Sequence, residues 1–103
     1  MTIPAYDTPI PIPARIAVLK DAKKRYHDGR YVTTAIAEAA NDAGFTHEID
    51  HCILLDCVMY GFVPDLAPFN LAGVYLARYE QSHLRPAVTA KLDRAIAAME
   101  AAE

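Results

Sequence analysis

At 103 residues the chain has room for one domain with a true core, and not for two. Its hydrophobic share of 53% against 22% charged excludes a disordered polyelectrolyte, and no apolar run approaches the roughly 18 residues that a membrane span needs. The net charge of −3 conceals a gradient: residues 1–30 carry six basic side chains and three acids, residues 31–70 six acids and no Lys or Arg, and residues 71–103 four of each.

Residues 1–13 contain Pro4, Pro9, Pro11 and Pro13. Proline donates to no ladder and continues no helix, so this stretch predicts an extended arm, anchored by Ile10 and Ile12, ahead of a single helical domain over 14–103. It lacks a basic region followed by an apolar one and does not read as a secretory signal. From Ala14 to His27 the pattern turns helical. Ile16, Val18, Leu19, Ala22 and Tyr26 form an apolar face, and Asp28-Gly29 stops the helix.

A second helix is predicted over Thr33–Ala43, with Ile36, Ala39, Ala40 and Ala43 on one side and Gly44 as its end. Its alanines imply close approach to a neighbour. Thr46 is the expected N-cap of a third helix running to Tyr60, with Glu48 and Asp50 in its first turn. Its second half, CILLDCVMY, is apolar on almost every side and predicts a central buried helix closed by Gly61.

A Val63-Pro64-Asp65 turn leads to a fourth helix over Leu66–Ser82, with Pro68 in its first turn and Phe69, Ala72, Gly73, Leu76 and Tyr79 sharing a face. Gly73 there predicts tight contact with another helix. A fifth helix opens with Pro86 at its first position and buries Val88, Leu92, Ala95, Ile96 and Met99. The predicted fold is all-α: about five helices in a compact orthogonal or bundle-like packing.

The string His47-Glu48-Ile49-Asp50-His51 satisfies H-E-x-x-H. Two histidines at i and i+4 lie on one helix face and can share a zinc ion, while the glutamate acts as general base on its water. Over five residues the string resembles the zincin peptidases. His47 and His51 would be ligands and Glu48 the base. No chain reversal brings Cys57 to the third position, which leaves Glu80 or His83 of the fourth helix to complete the site.

Residues TTAIAEAANDAGFTHEIDHCI resemble a helix-turn-helix unit in the spacing of Ala40, Gly44, Phe45 and Ile53. Asp50 stands where an apolar residue is expected. The would-be reading helix has no Lys or Arg and carries Glu48, Asp50 and Asp56, which opposes a polyanion. The basic first helix, with Lys20, Lys23, Lys24 and Arg25, is the other surface that could meet an acidic partner. Asp56 falls within the apolar stripe of Ile49, Ile53 and Tyr60. A carboxyl there must be paired, hydrogen-bonded or protonated.

Cys52 and Cys57 point to different sides of one helix and do not bridge each other, which fits a reducing, cytoplasmic setting. The leading expectation is a small helical protein-interaction or regulatory module with a protein partner, a second copy of itself included. It has no complete catalytic constellation and no expected cofactor. Its rivals are a zinc-dependent hydrolase built on HEIDH and a nucleic-acid-binding regulator.

Overall fold

The computed structural model describes residues 9–61 and 71–103. Within them are five helices and no strand: α1 (Ile12–His27), α2 (Val32–Asp42), α3 (Glu48–Tyr60), α4 (Ala72–Ser82) and α5 (Arg85–Ala102). The predicted Val63-Pro64-Asp65 turn, the Leu66 start of the fourth helix, Pro68 and Phe69 lie outside the described residues, as does most of the arm.

The arm is shorter than expected. Pro11 is the N-cap of α1, and Ile12 and Pro13 are already helical. A first-turn proline gives up an N–H that has no intrahelical partner anyway, so the last proline starts the helix instead of extending the arm. Ile10 is 1% exposed and belongs to the core, while Ile12 packs against it half-buried.

α1 and α2 end in the same way. Gly29 and Gly44 have φ of 108° and 93°. Around them Arg30 N–H donates to Arg25 O and Gly29 N–H to Tyr26 O, and Phe45 N–H to Ala40 O and Gly44 N–H to Asn41 O. These are paired Schellman bonds, which satisfy the last carbonyls of each helix. Because α2 ends at Asp42, Ala43 is exposed and does not extend the buried Ile36, Ala39 and Ala40 face.

α1 packs against α2 and α5, and α3 against α4, α2 and α5. Ala35, Ala39 and Ala40 are buried, and their small side chains let α2 approach its neighbours closely. α3 is the central helix, buried along the run Ile53–Val58. α5 opens one residue earlier than predicted, with Arg85 first and Pro86 second, and buries the predicted stripe of Val88, Leu92, Ala95, Ile96 and Met99. Burying each such large aliphatic side chain contributes about 1.5–3 kcal/mol. The radius of gyration, 12.9 Å, is that of a compact globule of this length.

Two cations tie α5 to the rest. Arg85 donates to Tyr26 O at 2.6 Å and lies 4.5 Å from the Tyr26 ring centroid. Lys91 donates to Met59 O at 3.1 Å and lies 4.6 Å from the Tyr79 ring centroid. Lys91 thereby places positive charge at the C-terminal end of α3, where the helix dipole favours it.

Candidate functional site

The HEIDH string sits at the very start of α3, where Glu48 is exposed in the first turn and His47, Asp50 and His51 have separate local tasks. His47, not Thr46, is the N-cap: its Nδ1 accepts the Ile49 N–H at 3.1 Å. An imidazole with an available lone pair does the work of the usual hydroxyl or carboxylate. His51 turns its Nε2 to Phe45 O at 3.0 Å, which requires the proton on that nitrogen. Asp50 is buried, 6% exposed, and accepts a backbone hydrogen bond from Ile10.

Burial raises the Asp50 pKa, with the Ile10 bond and the His51 charge opposing it. Among the described residues no group of three or more His, Cys, Asp and Glu side chains is arranged to hold a metal ion. Glu80, one of the candidate third ligands, accepts the Val32 N–H at 3.0 Å and caps α2. His83, the other, stacks on Tyr79 with ring centroids 3.7 Å apart.

Ile10 is held from both sides of its backbone. Arg15, 3% exposed, donates from Nε to Ile10 O at 2.8 Å and reaches Cys57 Sγ at 3.8 Å. Arg15 and Asp50 therefore fasten the end of the arm to α1 and α3. The apolar pattern of α1 predicts its buried face and passes over Arg15, because a buried guanidinium leaves no trace in hydropathy spacing.

The basic first helix is largely neutralised by the fold. Lys20 pairs with Glu100 at 3.8 Å and Lys23 with Asp93 at 2.7 Å, both across to α5. Arg25 bridges Asp21 and Asp42, and Arg30 meets Glu38 at 3.1 Å. Lys24 alone of the candidate set Lys20, Lys23, Lys24 and Arg25 has no ion pair among the described residues. A groove of about 710 Å³ between α1 and α5 is lined by both signs of charge, including Lys20, Lys23, Asp93 and Glu100.

A second cleft, about 440 Å³, lies between the α1–α2 turn and the end of α4. Its charged groups are spent internally: Arg30 on Glu38, Arg85 on Tyr26 O and Glu80 on the α2 N-terminus.

The helix-turn-helix-like order is present as α2, a turn and α3. However, α3 is packed on by α2, α4 and α5, and its side chains from Ile53 to Val58 are buried. Asp56 is 5% exposed, and its Oδ2 has no hydrogen-bond partner among the described residues. Burial raises its pKa. The carboxyl therefore holds its proton to higher pH than an exposed aspartate does.

The remaining surface of note is the outward side of α4 with the end of α3. Tyr60, Leu71, Val74 and Tyr75 are 58%, 51%, 49% and 41% exposed. Leu71, Val74 and Tyr75 follow the i, i+3, i+4 spacing of one helix face, while Ala72 and Leu76 turn to the core. Tyr60 lies near enough for Tyr75 and Asp56 to add to the upward shift that desolvation gives its phenol. Hydropathy alone does not single out this face, because Tyr60, Val74 and Tyr75 read equally well as core. No protein-family model matches the chain, and neither a curated protein nor a solved structure matches it.

Proposed function

We propose that the protein acts by binding another protein through the outward face of α4 and the adjoining Tyr60. The observation that carries this reading is the roughly half exposure of Leu71, Val74 and Tyr75 along one row of α4, with Tyr75 near enough to the exposed Tyr60 to act on its phenol. Single exposed apolar residues are ordinary on any surface, whereas a contiguous apolar and aromatic patch marks an interface. Tyrosines supply large, rigid contact area at low entropic cost. The two free thiols, half-buried Cys52 and buried Cys57, suit a cytoplasmic setting.

The test is a comparison of the parent with Val74→Glu/Tyr75→Ser. Both positions are exposed, so the variant keeps its helical circular dichroism. Light scattering and affinity capture on the two proteins then report on the face. The expected result is a partner held by the parent and released by the variant. If the parent is a monomer and both proteins hold the same set, the reading fails. Self-association of the parent that the variant abolishes would identify the partner as a second copy.

A further inference from the structure

The docking face described above has a charge pattern that narrows its partner. Leu71, Val74, Tyr75 and Arg78 recur at i, i+3, i+4 and i+7, so Arg78 extends the exposed row of α4 by one turn. Tyr60 also lines a small groove of about 120 Å³ with Gly61, Lys91 and Arg94. Tyr75 acts on the Tyr60 phenol, Arg78 is exposed one turn on from Tyr75, and Arg94 shares a groove with Tyr60, so both guanidinium groups adjoin the aromatic pair.

These two arginines differ from most of the other cations. Lys20, Lys23, Arg25 and Arg30 are ion-paired, and Arg85 and Lys91 donate to backbone carbonyls. Among the described residues the side chains of Arg78 and Arg94 make neither an ion pair nor a hydrogen bond, and Lys24 of α1 is the other Lys or Arg in that condition. Among the described residues, two guanidinium groups without an ion pair thus adjoin the same exposed apolar patch. Guanidinium binds carboxylate through two parallel N–H donors, and Arg with Tyr dominates the energetics of protein interfaces.

We propose that this face docks an acidic amphipathic segment of another protein, with its apolar ridge on Val74, Tyr75 and Tyr60 and its carboxylates on Arg78 and Arg94. The proposal rests on the interaction reading given above. A single-stranded nucleic acid could also stack on two tyrosines beside two arginines. The net charge of −3 disfavours a long polyanion more than a short segment with a few carboxylates.

The experiment is selection of a displayed random-peptide library on the folded parent, with Arg78→Glu/Arg94→Glu and Val74→Glu as counter-targets and a thymidine oligonucleotide titrated in parallel. The expected peptides are acidic and apolar, and they lose about tenfold or more in affinity on either variant. Peptides that need Val74 but are neutral or basic, and are indifferent to the double arginine reversal, overturn the acidic partner and leave the interaction reading standing. Selection that is independent of Val74 overturns both. Oligonucleotide binding that vanishes in Arg78→Glu/Arg94→Glu while no acidic peptide is enriched overturns the proposal in favour of nucleic acid.

Discussion

Asp56 carries a carboxyl into the apolar packing of α3 with one oxygen unpartnered among the described residues, and burial raises its pKa. The folded chain therefore keeps this proton to higher pH than the unfolded chain does. The stability this contributes is full below the unfolded carboxylate range and is lost as pH rises through the folded pKa. Asp56→Asn removes that loss, so the variant's advantage over the parent grows from acidic to neutral pH. Urea midpoints across that window measure it, and a pH-independent difference would mean that Asp56 ionises as freely in the fold as in the unfolded chain. Arg15 stands at the opposite extreme, a buried charge that donates from Nε to Ile10 O and from Nη1 to Cys57 Sγ. Arg15→Ala releases Ile10 O and Cys57 Sγ from that donor and costs about 1.5–3 kcal/mol. The change appears as a lower urea midpoint at unchanged slope. Arg15→Lys recovers only part of it, because an ammonium lacks the guanidinium fork.

Among the elements, helix cores follow hydropathy closely and helix ends follow it less. The stripes of α1 and α5 were expected almost residue for residue, and so were the glycines closing α1 and α2. The starts diverged because caps are not always local. α2 has no side-chain cap from its own N-terminal residues, and its Val32 N–H is satisfied by Glu80, 48 positions away in the chain. No reading of nearby residues finds that bond. Glu80→Ala is expected to cost about 1 kcal/mol, and Glu80→Gln less, since the amide oxygen still accepts the N–H while the charge at the helix N-terminus is gone. Thermal melts of the three proteins give the order parent, Gln, Ala; coincident melts would show that water satisfies Val32 equally well. α3 makes the same point at closer range. Thr46 has the better capping chemistry in general, yet His47 takes the position.

For the whole molecule, the charge gradient along the chain dissolves once the helices pack. Lys20 and Lys23 find acids on α5, and Arg25 and Arg30 find acids on α2. Such exposed pairs contribute only about 0–1 kcal/mol each, so their consequence is a neutralised face more than a stabilised one. With His47, Asp50 and His51 engaged in capping and backbone contacts, added zinc is expected to leave the melting temperature unchanged. A zinc-dependent rise that His51→Ala abolishes would reverse that expectation, since a ligand bound only to the folded state must stabilise it. The amino-acid pattern alone was sufficient for the all-α class, the buried stripes and the turn glycines, because periodicity and backbone conformation are local properties. Among the described residues, which cations are left unpaired, which carboxyl lacks a partner and which apolar face is exposed are decided by residues distant in the chain. Those features emerge only when α3, α4 and α5 are packed together, and they define the surface through which we expect this protein to act.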